Sequence, residues 1–403
     1  MNSIKKIYDK EIGYLLALVL SLPLLTNFFG GIARMVGAST IDTTRIIYFA
    51  VFLIGVNKLR CCNMVWFLNL LKLYIFMVLV LLLNYAFFPM CRPYYSANSL
   101  SLGINLIFYI PVAYALVRVK DWTYFFEYMK YTAILTPIAG WIGIKFLNFE
   151  DMISYMIFSN MLLPGILAEW YLYKTKKNKI YVILTLFSLY LQILYGGRMS
   201  LFSSVLYIVL ADFIELKRKN IKTAATYLLL YILAIIFCYI FYEEIIAFIL
   251  DIIDKLGLTN TRSIEKILSG DVAKSAGRDV IYDSARRELH NLGLNIKGLF
   301  GDRIALYGTR NKNLQTNYVH SIIYEMLFSF GYIGGTVFLL FIFIKSIFNI
   351  FVKKNIQINE ITAYFVCLIL LRLLVSGSFL IEGQFCLLIG VLLNRNLPEK
   401  KQV

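Results

Sequence analysis

Two histidines occur in this chain, His290 and His320, and both fall in its one long polar stretch, from about residue 243 to 320. An imidazole changes charge near neutral pH, which suits it to general base work. Three arginines stand where a charge is costly or lies at the edge of an apolar run. Arg198 follows Gly196-Gly197, Arg278 sits in Ala276-Gly277-Arg278-Asp279, and Arg372 lies inside an apolar run. An arginine fork grips phosphate oxygens through two parallel hydrogen bonds. A base and several such forks together suit transfer of a sugar from a lipid diphosphate. The base would take a proton from an acceptor hydroxyl, and fixed positive charge would stabilise the departing diphosphate.

Each residue also has a plainer reading. His320 could serve only as a polar helix start. Arg198 could snorkel to lipid headgroups. Arg278 could pair with Asp279 or Asp283, and Arg372 with Glu382. His290, beside Arg286 and Arg287, reads equally as the surface of a helix.

The elements that must position these residues are apolar. The chain has 403 residues, 60% of them hydrophobic and only 16% charged, with a mean hydropathy of +0.71. A soluble domain carries about 25% charged residues. Apolar runs near 20 residues long mark bilayer spans. Twelve are expected, at about 12–29, 44–56, 70–88, 100–117, 131–147, 153–173, 180–195, 201–216, 224–242, 322–348, 361–376 and 385–393. The fold class is therefore all-α: a polytopic membrane protein with one large, partly helical external loop. Residues 1–242 carry nine spans, 243–320 the loop, and 321–403 the last three spans and a tail.

The formal charge of +16 invites a nucleic-acid partner. The basic residues instead sit in short clusters between spans, the pattern that insertion orientation and anionic lipid impose. Those clusters put both termini in the cytoplasm and the 243–320 loop outside. Six cysteines show no CxxC or Cys/His spacing, so no metal site is expected. No internal repeat is visible, as a twelve-span transporter built from two similar halves would show.

Within the loop, Ile245, Ile246, Ile249, Ile252, Ile253 and Leu256 recur at helical spacing, which predicts an amphipathic helix on the membrane surface. A second helix is expected over 279–292, burying Ile281, Ala285, Leu289 and Leu292. Asp283 and Arg287 are spaced i, i+4 on its other face. Gly298-Leu299-Phe300-Gly301 reads as a tight turn. A helix starting at His320 would carry Tyr324 and Gly331 on the same face, since eleven residues at about 100° each return to within about 20°. Gly331, Gly334 and Gly335 would then let another helix approach closely beneath the histidine.

With those motifs in hand, the chain resembles the O-antigen ligase and O-antigen/capsular polysaccharide polymerase superfamily. His320-Ser321, nine residues, then Gly331-Tyr332-Ile333-Gly334 is similar to that family's histidine–glycine motif. Gly196-Gly197-Arg198 is similar to its glycine–arginine at the corresponding span end, Ser275-Ala276-Gly277-Arg278 followed by a helix and Gly298-Leu299-Phe300-Gly301 is similar to its loop pattern, and Arg287, ten residues, then Gly298 fits a looser polymerase pattern. One departure is Val280-Ile281-Tyr282, where family members often carry an aromatic soon after the loop arginine. The resemblance implies an essential His320. It also implies that Arg198 and Arg278 engage a diphosphate and that no metal or nucleotide sugar is used; Arg372 joins them by its position at the outer side, and no cofactor is expected. The implied partners are undecaprenyl-diphosphate-linked oligosaccharide, membrane lipids and a chain-length regulator, at a bacterial cytoplasmic membrane. A polymerase is the expected activity, a ligase acting on lipid A-core the close alternative, and a lipid-linked oligosaccharide flippase the alternative of another class.

Overall fold

The computed structural model describes residues 2–147, 149, 153–195, 197–241, 244, 247, 251, 278–293, 295–305 and 318–395. Their regular structure is helical throughout, with no strand among the described residues. That follows from the composition, because in lipid a helix satisfies every backbone polar group within its own segment. The first half comprises α1 (Asn2–Met35), α2 (Thr40–Leu59), α3 (Met64–Phe87), α4 (Arg92–Ala97), α5 (Ser99–Ile104), α6 (Ile110–Leu116) and α7 (Thr123–Lys145). Then come α8 (Tyr155–Lys176), α9 (Ile180–Tyr195), α10 (Arg198–Lys219) and α11 (Ile221–Ile240). The later part holds α12 (Arg278–Leu292), α13 (Gly301–Ala305), α14 (Ile322–Ile347), α15 (Ile356–Phe365), α16 (Leu371–Val375) and α17 (Gln384–Leu392). Single π-helical turns join α5 to α6 and α15 to α16.

Each of the twelve apolar runs coincides with one of these helices or a joined pair. Among the described residues, seven helices are long and apolar enough to cross a membrane: Lys5–Met35, Thr40–Leu59, Met64–Phe87, Ser99–Leu116, Arg198–Lys219, Ile322–Val352 and Ile356–Val375. The chain is a membrane protein on that evidence. α2, α3 and α11 leave rows of large apolar side chains uncovered, among them Phe49, Leu53, Ile75, Leu79, Leu82, Leu230, Leu233 and Phe237. Such a surface suits lipid and not water.

The core lies where α1, α7, α8, α10 and α15 meet. Trp122, Phe125, Phe126, Tyr207 and Tyr364 are all buried there, and the rings of Phe126 and Tyr171 stack 3.4 Å apart. Small residues allow the close approach, as between membrane helices generally. A Cβ on Gly165 of α8 would sit 1.9 Å from the Thr136 hydroxyl oxygen of α7.

The contacts between helix ends define two distinct ends of the bundle. At one end Asp9 accepts the Lys120 and Asp121 amides, Lys174 pairs with Asp212 at 2.7 Å, and Gln357 meets Trp122. The basic clusters between spans gather here. At the other end Cys91 meets Lys297 and Tyr94 meets Arg303. There the described part of the 243–320 stretch docks.

α12 begins one residue earlier than expected and buries the expected face, Ile281, Ala285, Leu289 and Leu292, against Val319 and Phe328. The Asp283 partner differs from the i, i+4 spacing: its carboxylate pairs with Arg286 at 3.7 Å. The 298–301 turn is present, with Gly298 at φ +79° and Phe300 at φ +66°. A side chain at Gly298 would collide with Phe88 and Asn84 at the end of α3. The amphipathic run over 245–256 lies outside the described residues except Ala247 and Asp251, as do Gly196 and Ser275-Ala276-Gly277.

Candidate functional site

His320 does not start a helix, which corrects the expectation from spacing. Its φ is +59°, in the left-handed region, and α14 begins at Ile322 after Ser321. Left-handed backbone is uncommon outside glycine, although histidine tolerates it better than most residues. It persists where surrounding contacts over-determine the chain, and such places cluster at functional sites. The contacts here are specific. Val319, next to the histidine, is fully buried and donates its N–H to Asp302 at 3.2 Å. The Tyr318 ring lies 4.0 Å from the His320 ring, tilted by 45°.

Tyr318 is itself held from two sides. Burial raises its phenol above the ordinary value, opposed by the neighbouring Gly377 backbone and Ser376 side chain. Its ring lies 5.5 Å from the guanidinium carbon of Arg303, which also lies 5.1 Å from Phe300 and 5.8 Å from Tyr94. Arg303 is 0% exposed, so this is a guanidinium enclosed among three aromatic rings. Desolvated contacts of that kind are worth about 2 kcal/mol or more. Asp302 beside it is buried too, and burial raises its carboxyl above the usual range, opposed by Arg303 and backbone N–H donors.

The second glycine feature also needs correction. Gly331 has φ +72° and ψ 175°, so α14 is kinked there and the eleven-residue face from His320 is broken. The close approach expected at the glycines is made at Gly335 alone among the described ones, and by the helical segment before the kink. Gly334 is exposed, and a Cβ on Gly335 would meet Met326 and Leu327 of its own chain. The kink withholds helical N–H partners from nearby carbonyls, and that of Phe328 accepts the Lys297 N–H at 2.9 Å instead. The break thereby ties the loop to the bundle. Tyr324, before the kink, stacks 5.5 Å from Tyr282 of α12 and helps dock that helix.

Glu325, also before the kink and buried, accepts the Ser378 hydroxyl and the Phe379 N–H. It clamps the 376–382 segment that follows α16. Arg372 of α16 pairs with Glu382 at 2.5 Å. The structural pairing anticipated for Arg372 is therefore present. Both residues still line a cavity of about 250 Å³ with Asn105, Asn160 and Gln384. In that lining the buried Arg372 Nε and Gln384 Oε1 have no hydrogen-bond partner among the described residues. The cavity thus offers one spare donor and one spare acceptor.

Arg198 is exposed and opens α10, capped by Gly197, whose N–H meets the Ser159 hydroxyl. Two residues on, Ser200 donates to Asn160 at 3.0 Å, and Asn160 lines the Arg372 cavity. Arg278 is the first residue of α12. Arg287 and His290 lie on the exposed face of α12, away from its buried seam. The structure therefore gathers His320, Arg372 and the start of α10 at one end of the bundle.

Sequence reasoning missed Tyr318, Asp302, Arg303 and Glu325. For Glu325 a signal existed: an acidic residue inside an apolar span is costly and marks a function or a buried contact. Arg303 gave none, because its burial depends on Tyr94, far away in sequence. No protein-family model, curated protein or solved structure matches this chain.

Proposed function

We propose that this chain is a membrane glycosyltransferase of the O-antigen polymerase type. It joins undecaprenyl-diphosphate-linked oligosaccharide units on the outer face of a bacterial cytoplasmic membrane. The observation that carries the reading is the fixed placement of His320. Its imidazole rests on Tyr318, and Tyr318 neighbours Gly377 and Ser376 in the same segment that supplies Glu382 to Arg372. A base is thereby linked to an arginine-lined cavity at the end of the bundle away from the basic clusters.

In this reading the growing chain is the donor and the incoming lipid-linked unit the acceptor. The His320 imidazole takes the proton from an acceptor hydroxyl. The hydroxyl oxygen bonds to the donor's anomeric carbon as the bond from that carbon to the phosphate oxygen breaks. The bonding pair leaves with the diphosphate. Arg198 and Arg278 offer positive charge to it from two helix starts, and Arg372 from the cavity wall. A helix N-terminus adds partial positive charge of the same sense.

The test is a gel of surface polysaccharide from a strain lacking the chain, complemented with wild type or with His320→Ala. A single repeat unit on lipid A-core in the deletion and in His320→Ala supports a polymerase. Carrier-linked polymer missing from lipid A-core supports a ligase. A full ladder with His320→Ala refutes the base assignment.

A further inference from the structure

The end of the bundle opposite His320 holds another cavity, of about 310 Å³. It forms where the start of α1, the first turn of α3 and the segment after α6 converge. Three cationic side chains line it, Lys5, Arg118 and Lys120, against one carboxylate, Asp9. The two Asp9 oxygens accept the Lys120 amide at 3.0 Å and the Asp121 amide at 3.2 Å. This carboxylate is thus committed to the backbone, and the balance of charge in the lining is positive.

A second observation is independent of charge. Trp66 also lines the cavity and is 0% exposed, and its indole N–H has no acceptor among the described residues. A buried donor left without an acceptor costs about 1–3 kcal/mol, so one is expected to find a partner. Indole can only donate, so the partner must be an acceptor. The start of α3 adds partial positive charge of the same sense. Trp66 lies in the first turn of α3, a 24-residue helix capped by Asn63, which accepts the Trp66 amide at 2.9 Å. Asn63 lines the same cavity. A helix N-terminus favours an anion.

We propose that this cavity binds a phosphate-bearing anion. Arginine and two ammonium groups from separate chain segments, an indole donor and a helix start surround one volume. That arrangement suits a tetrahedral anion with several acceptor oxygens better than a planar carboxylate. The volume admits more than a bare ion, so the phosphate comes either from an anionic lipid headgroup or from a soluble phosphate. Basic pockets between membrane helices take headgroups in this way. The proposal does not depend on the activity proposed above.

The experiment uses the purified full-length chain in detergent and reads binding, not turnover. Dioleoylphosphatidylglycerol retention is measured by native mass spectrometry, and radiolabelled inorganic phosphate by equilibrium dialysis. Retention of the lipid with no binding of inorganic phosphate assigns the site to headgroups, and saturable binding of inorganic phosphate assigns it to soluble phosphates. In either case Arg118→Gln weakens binding about tenfold, as loss of one charge-assisted contact implies. Trp66→Phe, which keeps the ring and removes the N–H, weakens it about three- to tenfold. Arg118 and Lys5 have exposed side chains. If Trp66→Phe fails to fold, Arg118→Gln and Lys5→Gln carry the test. Neither probe binding saturably, or equal binding in wild type and an Arg118→Gln/Lys120→Gln double variant, overturns the proposal.

Discussion

Alanine at Gly331 should loosen the attachment of the loop to the bundle, whereas alanine at Gly334 should not. Gly331 has φ +72° and ψ 175°, a region that is essentially glycine-only and costs other residues about 1–3 kcal/mol. If the kink survives in Gly331→Ala, that strain is carried in full. If α14 straightens, the Phe328 carbonyl returns to its helical N–H and releases Lys297, which it now holds at 2.9 Å. Losing one such bond costs about 0.5–1.5 kcal/mol net. The opening of the 295–301 turn thus becomes easier by about 1–3 kcal/mol on the first route, about 5- to 150-fold, and by about 0.5–1.5 kcal/mol on the second, about 2- to 12-fold. Hydrogen exchange at the Lys297 amide reads that opening directly. Gly334 is exposed, and an added Cβ would meet only the Phe330 Cβ, at 3.2 Å. Its alanine variant should change stability by under about 1 kcal/mol, helped by alanine's better helix propensity. Equal Lys297 exchange in Gly331→Ala, Gly334→Ala and wild type would refute the assignment of the kink as the tie.

Further outcomes follow from the buried charges and the arginines. Arg303→Met should cost about 2 kcal/mol or more, because it removes the desolvated guanidinium contacts with Tyr94, Phe300 and Tyr318. Arg303→Lys should recover only part, as the planar contact with three rings is lost. Thermal unfolding of the two variants checks this, and wild-type stability in Arg303→Met would contradict it. Burial raises the Asp302 carboxyl above its unfolded value, so its stability contribution is full below the unfolded pKa and is lost as pH rises through the folded one. Asp302→Asn should remove that loss, so its stability relative to wild type should rise with pH; parallel pH curves would refute it. Arg198→Lys should impair polymer formation despite keeping charge, since the fork is lost. Wild-type polymer length in Arg198→Ala would remove its phosphate role.

The apolar runs made the helices legible, because length and hydropathy decide what backbone can lie in a bilayer. The α12 seam was equally plain, since Ile281, Ala285, Leu289 and Leu292 recur at the helical period. Gly331 was legible as special but not for its reason. Spacing suggested a face kept clear for a neighbouring helix, whereas the glycine serves a backbone conformation that breaks the helix. The same spacing argument assumed that helix geometry began at His320, and a positive φ there defeats it. Arg303 was invisible because its surroundings are tertiary. Phe300 is three residues away, but Tyr94 and Tyr318 reach it only once α4 and the loop pack together. Arg372 and Glu382 were readable as a pair from position alone, yet the cavity beside them depends on Asn105 and Asn160 from other helices.

The most direct measurement is turnover of a purified lipid-diphosphate-linked oligosaccharide by the chain in lipid nanodiscs, wild type against His320→Ala and His320→Gln. Both variants are expected to fold and bind as wild type does but to extend the oligosaccharide about 10²–10⁴-fold more slowly, the range for loss of a positioned base. Extension at the wild-type rate by either variant would contradict the base role of His320.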